Sequence, residues 1–252
     1  MKKYVIGMAF LFGVNLAFGQ EMTDRPPSDW EFTVAPYMFF GSVSGDSRLG
    51  TLESQEVDLK FKDVLKNLQF AFMLHGEVHK GNWGLMADYF YLKLGSDIDT
   101  PESGVLDIEF KQSIFELFGS YRIQKEWGWY DVYAGIRSWN LKLDLQLRDD
   151  ASVGANGDQN WVDPVIGGRI YYKSPGDFIL GMRADLGGFG LGSDFTYNLQ
   201  PGVGYQFSDV FTLMLQYKYL YSDYSSGTEG TPNFFALDAA TNGPLLGLVF
   251  RF

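Results

Sequence analysis

The sequence predicts an all-β protein, a transmembrane, antiparallel, up-and-down β-barrel of about ten strands behind a cleaved signal peptide. Three observations predict it. Apolar and polar residues alternate with a period of two through most of the chain after Trp30, as strands with two unlike faces require. The chain closes on Pro244-Leu245-Leu246-Gly247-Leu248-Val249-Phe250-Arg251-Phe252, an alternating segment whose even-numbered face ends on an aromatic and so needs an apolar surface to lie against. The 252 residues include 30 glycines and 17% aromatics but no cysteine, a composition for tight turns, close strand packing and aromatic girdles without disulfide staples.

The elements follow in order. Lys2 and Lys3 precede an apolar run from Tyr4 to Phe18, and Ala17-Phe18-Gly19 supplies the small residues of a cleavage site. Residues 1–19 therefore read as a signal peptide and 20–29 as a short periplasmic segment. Residues 30–252 form one barrel domain. The leading apolar run is shorter than the roughly 20 residues of a spanning helix. No cysteine follows the cleavage site, so a lipid-anchored N-terminus is not expected. No later segment has the length and apolarity of a membrane helix. Barrel strands escape such tests because lipid-facing and lumen-facing residues alternate. A net charge of -11 argues against nucleic acid as a partner.

Short turn signals recur at Lys80-Gly81-Asn82, Gln124-Lys125-Glu126, Ser174-Pro175-Gly176-Asp177 and Ser208-Asp209. Longer polar stretches near 42–66, 96–104, 148–159, 188–194 and 224–234 alternate with them, matching short periplasmic turns and long extracellular loops. Threaded this way, strands are expected at 30–41, 67–79, 83–96, 104–124, 128–148, 159–173, 177–188, 194–207, 210–223 and 236–252. Two more arise if 49–61 pairs into the wall. In the first, Trp30, Phe32, Val34, Pro36, Met38 and Phe40 share the outer face. In 194–207 that face carries Phe195, Tyr197, Leu199, Pro201, Val203, Tyr205 and Phe207, and in 210–223 Phe211, Leu213, Leu215, Tyr217, Tyr219 and Tyr221. Two long neighbours change phase. Leu106, Ile108 and Phe110 are even-numbered but Phe115, Leu117, Tyr121 and Ile123 odd; Tyr130, Val132, Ala134 and Ile136 are even but Trp139, Leu141, Leu143, Leu145 and Leu147 odd. Both slips lie at similar distances from the Lys125-Glu126 turn, so paired irregularities, β-bulges, are expected there. Both strands also exceed the roughly 9–11 residues that cross a bilayer, so their upper halves rise above it.

The inward face is expected to carry Glu31, Glu77, Asp88, Glu116, Asp131, Asp163 and Asp185 against Arg122, Arg137, Arg169, Arg183, Lys218 and Arg251. Asp131-Val-Tyr-Ala-Gly135-Ile-Arg137 and Asp163-Pro-Val-Ile-Gly167-Gly-Arg169 repeat a pattern in which glycine leaves room for a neighbour's long side chain. Such a lumen is either a buried ion-pair network filling a narrow barrel or a charged constriction that selects solutes. Wide channels need about 16 strands, which argues against a large open porin. His75, Glu77 and His79 share a face, but histidines four apart on a strand are separated by roughly 13 Å, too far to chelate one ion. No serine with a histidine partner stands out either. No metal, cofactor or catalytic set is therefore assigned. The segment 42–66 contains a strand-like Val57–Phe61 and a helical turn over Lys62–Leu68. It is an ordinary extracellular loop, or else Phe61, Val64, Leu65 and Leu68 turn inward as a mouth plug.

From Trp30 to Phe252 the chain resembles the small outer-membrane β-barrel proteins of bacteria, the group with OmpW-like and OmpX-like porin-type members. The resemblance rests on Trp30 with Pro36-Tyr37, on Trp161-Val162-Asp163-Pro164 with Gly167-Gly168-Arg169, on Gly202-Val203-Gly204-Tyr205-Gln206-Phe207 and on the closing strand. It implies a monomer in the outer membrane of a Gram-negative bacterium, in contact with lipid and lipopolysaccharide. It also implies that Phe252 belongs to the signal read by the barrel-assembly machinery. The expected function is a narrow or gated channel for small solutes. An occluded structural or surface-interaction barrel acting through its loops is the alternative, and an outer-membrane enzyme comes third.

Overall fold

Wherever the period of two persists the chain folds as a strand, and the pleat sends successive side chains to opposite faces of one wall. The computed structural model describes residues 30–100, 104–148 and 150–252. The expected signal peptide (1–19) and periplasmic segment (20–29) lie outside the described residues. The chain runs through β1 (Trp30–Phe39), β2 (Ser42–Leu49), β3 (Gln55–Leu59) and a short helix, α1 (Phe61–Asn67). It continues as β4 (Leu68–Lys80), β5 (Trp83–Thr100), β6 (Gly104–Lys125), β7 (Gly128–Leu147) and β8 (Asp150–Lys173). The last strands are β9 (Phe178–Gly187), β10 (Phe195–Gln206), β11 (Phe211–Ser226) and β12 (Phe235–Arg251).

Each strand from β4 to β12 is antiparallel to the next, β1 pairs with β4, and β12 returns to β1, which closes a ten-strand barrel. The closing register runs from Thr33 opposite Arg251 to Phe39 opposite Leu245. Closure removes sheet edges, so the wall satisfies its own backbone hydrogen bonds in lipid. The segment 49–61 does not add two crossing strands. Instead β2 pairs with the upper part of β12, from Phe235 to Asn242, and β3 pairs with β2. The stretch 148–159 is not a loop, because β8 already starts at Asp150.

The expected bulges are absent. β6 and β7 pair without a break from Leu106 opposite Leu147 to Lys125 opposite Gly128. Faces therefore never switch; what switches is the polarity that each face carries. In the lower half of β6, Glu116, Ser120 and Arg122 are buried inward while Phe115, Leu117 and Tyr121 face out. Higher up, the same inward face presents Gln112, Phe110 and Ile108 to a cavity. The outer face there carries ion pairs, Glu109 to Lys93 at 2.7 Å and to Lys111 at 2.5 Å, and Lys142 to Asp158 at 3.1 Å. Hydrogen bonds from Lys111 and Lys93 hold the Glu109 carboxyl below its ordinary range. Charges outside and apolar side chains inside suit a wall in water, and the reverse suits a wall in lipid. The long strands thus leave the membrane near Ser113 and Asn140.

Candidate functional site

Below that level two ion-pair clusters occupy the lumen. In the first, Arg137 is fully buried and donates to Glu116 at 2.6 Å and to Asp185 at 2.7 Å. Arg183 spans the same two carboxylates at 2.8 and 3.2 Å, and its Nε also donates to the Tyr133 hydroxyl at 2.9 Å. Tyr133 in turn donates to Asp185 at 3.0 Å, and Asn198 donates to it at 3.1 Å. In the second cluster Asp131 accepts from Arg122 at 2.9 Å and from Arg169 at 2.6 Å. Arg169 reaches on to Glu77 as a fork, at 2.5 and 2.7 Å. His75 lies between Glu77 at 2.8 Å and Asp88 at 3.2 Å, contacts that a doubly protonated ring satisfies with its two N–H donors. Tyr37 completes the chain by donating to Asp88 at 2.8 Å. Bidentate, fully desolvated contacts of this kind set geometry more firmly than exposed ion pairs do.

The pairing of β7 with β8 explains part of the repeated motif. Asp131 lies opposite Arg169 and bonds to it. Arg137 lies opposite Asp163, yet Arg137 turns to Glu116 and Asp185 instead. Asp163 is taken by the Trp139 indole N–H at 2.9 Å and by Ser193, through its backbone N–H at 2.6 Å and its hydroxyl at 3.0 Å. Gly167 makes the expected room: a Cβ there would meet the Asp185 Cβ at 2.5 Å and the Tyr133 ring at 2.8 Å. Gly167→Val is therefore expected to displace Tyr133 from Arg183 and to destabilise the barrel by about 1–3 kcal/mol. The check is a lower urea midpoint than wild type in vesicles; an unchanged midpoint would show that the wall yields freely.

The other predicted lumen residues lie at the margins. Glu31 is at the periplasmic rim, 3.9 Å from Arg122. Arg251 lies over the Trp129 ring at 5.2 Å, and Lys218 lines a small lower cavity of about 120 Å³; neither makes an ion pair among the described residues. His79 lies opposite Glu31 near that rim, buried and 3.4 Å from the Ser120 hydroxyl. The mouth plug is not formed as expected. Leu65 and Leu68 point outward, 57% and 38% exposed, and α1 has no buried residue. Phe61 and Val64 are half-buried, and Phe61 packs edge-to-face on Phe40 at 5.6 Å. An amphipathic helix of about two turns between Lys60 and Lys66 has too little apolar face to bury four residues.

Above the ion pairs lies what the sequence reading missed, an apolar cup of about 410 Å³. Val43, Val57, Leu94, Phe110, Leu141 and Leu237 line it, so that β2 and β3 supply part of its wall. Trp139 lies at its base, stacked on Trp161 at 5.3 Å, and Trp161 stacks on Tyr224 at 4.0 Å. The Trp139 bond to Asp163 ties this aromatic floor to the polar layer beneath. No residue lines both the upper and the lower cavity. The signal for the cup was the phase slip itself.

No protein-family model matches the chain. No curated protein matches it in sequence. Among solved structures, the outer-membrane protease OmpT of Escherichia coli superposes with a TM-score of 0.61 at 12% identity, over 92% of this chain and 99% of that one. Ail, the attachment invasion locus protein of Yersinia pestis, gives 0.40 at 11% identity, over 89% and 99%. The translocator domain of the autotransporter NalP from Neisseria meningitidis gives 0.37 at 12% identity, over 88% of each chain. At such identities the likeness to OmpT shows the fold alone, that of an outer-membrane β-barrel.

Proposed function

We propose that this barrel resides in the outer membrane of a Gram-negative bacterium as a monomer, closed at its waist, and that its working part is the extracellular cup. The observation that carries this reading is the buried layer of Glu116, Arg137, Asp163 and Asp185 between two cavities with no shared wall. The apolar outer face meets lipid, the charged upper wall meets lipopolysaccharide, and the strand ending in Phe252 engages the assembly machinery. The protein acts by binding, without catalysis: at the waist Glu116 and Asp185 are consumed by Arg137 and Arg183, and Asp163 by Trp139 and Ser193.

A second reading, a gated channel for small solutes, is favoured by one observation. The partition consists of side chains alone, with cavities in line above and below it. Refolded protein in a planar bilayer separates the two. The expected record is silence from a correctly folded sample. Reproducible steps that change with Lys218→Ala or Arg183→Ala would establish the gated channel instead.

A further inference from the structure

Polar side chains interrupt the largely apolar lining of the cup, among them Asn67, Gln112 and Gln159. Gln112 is 8% exposed, faces inward from β6, and has no hydrogen-bond partner among the described residues, while its neighbours across the sheet are Leu92 and Leu141. Its amide opens onto the cup, where an occupant carrying a hydrogen-bonding group meets it among largely apolar side chains. Gln112 and Trp139 are the lowest lining residues of their strands, so the free amide and the indole face share the floor. Among the described residues no carboxylate lines the cup, and the one cation there, Lys142, is engaged by Asp158 on the outer surface at 3.1 Å.

We infer that the cup binds an uncharged, ring-containing apolar molecule that carries a hydrogen-bonding group for Gln112 and lays its ring against the floor at Trp139. This deepens the proposal that the cup is the working part, and rests on it. The size follows from the volume. A dry cavity of roughly 150 Å³ takes benzene, so about 410 Å³ takes on the order of 15 heavy atoms at similar packing. A charged ligand is excluded, because its ion would be desolvated without a counter-charge.

The probes are 1-naphthol, naphthalene and 1-naphthoate, titrated into the full mature protein in lipid nanodiscs and followed by tryptophan fluorescence. Naphthol is expected to bind more tightly than naphthalene, and naphthoate not to bind. Gln112→Leu should weaken naphthol by roughly five- to tenfold, the worth of one hydrogen bond, and leave naphthalene equal or tighter. Gly157 lines the cup where an added Cβ meets nothing within 4 Å. Gly157→Phe therefore fills the space without a clash and should abolish both signals. Binding that survives Gly157→Phe, no binding by either neutral probe, equal binding of naphthoate, or indifference of naphthol to Gln112→Leu would each overturn the inference. Bilayer silence without probe binding would defeat this inference alone. Conductance with probe binding would defeat only the closed waist.

Discussion

Arg137→Met is expected to destabilise the barrel by about 3–5 kcal/mol, the usual cost of removing one partner from a buried ion pair. The side chain it removes is fully buried and holds two carboxylates, Glu116 and Asp185. Methionine fills much of the volume, so lost packing contributes little, and the penalty comes from two anions left in a desolvated layer. Arg183 also touches both carboxylates, but it cannot supply the missing charge because it is already committed to them and to Tyr133. The measurement is urea unfolding of refolded protein in phospholipid vesicles, followed by tryptophan fluorescence. Adding Glu116→Gln should recover much of the loss, since it removes the excess anion and leaves Arg183 paired with Asp185. A single variant that unfolds with the wild type would mean that water reaches the waist and that the layer is not a seal.

An arginine scan along the outer wall gives the second large effect. Ile166 faces outward on β8, 59% exposed, opposite Ala134 of β7. Ile166→Arg places a cation in the lipid belt and is expected to cost about 2–4 kcal/mol if it sits near the bilayer midplane. Asn140 faces outward on β7 above the polarity change, beside Asn160 and near Asp158. Asn140→Arg should stay within about 0.5 kcal/mol of wild type, as surface substitutions do. The contrast between two outward positions on neighbouring strands is the result to look for, in the same unfolding assay. Equal costs would mean that the lipid boundary does not coincide with the change in wall polarity.

The barrel itself was legible because alternation survives in any setting. A pleated strand with unlike faces shows its period whether or not its partners are known, and the strand that ends in Phe252 shows which side meets lipid. The Asp131–Arg169 pair was legible for a related reason: an antiparallel hairpin brings a repeated motif against itself. Arg137 has an opposite carboxylate on each side, Asp163 on β8 and Glu116 on β6; it bonds Glu116 and reaches past Asp163 to Asp185 on β9. The cup was hidden by an assumption about solvent. Leu106, Ile108, Phe110, Leu141 and Leu143 were assigned outward because apolar residues face outward in lipid. Above the bilayer the preference reverses, and the register of β6 on β7 was needed to show that the strands themselves do not kink. The roles of Tyr37, His75, Tyr133, Ser193 and Asn198 lie in contacts across strands far apart in sequence. No local spacing announces them.

The pairing of β12 carries a consequence for how the molecule comes into being. That strand follows the other eleven in chain order, yet it is the partner of β1 below and of β2 above, with Ser42 bonded to Asn242 200 residues away. Until it arrives, β2 and β3 form at most an isolated hairpin, which is marginal on its own. Contacts of such long sequence separation pay their loop-closure entropy before any reward is collected, and so form late. The N-terminal hairpin must wait for the C-terminus to be threaded. The upper cup is thus completed in the same act that seals the cylinder, and no half-assembled precursor displays it.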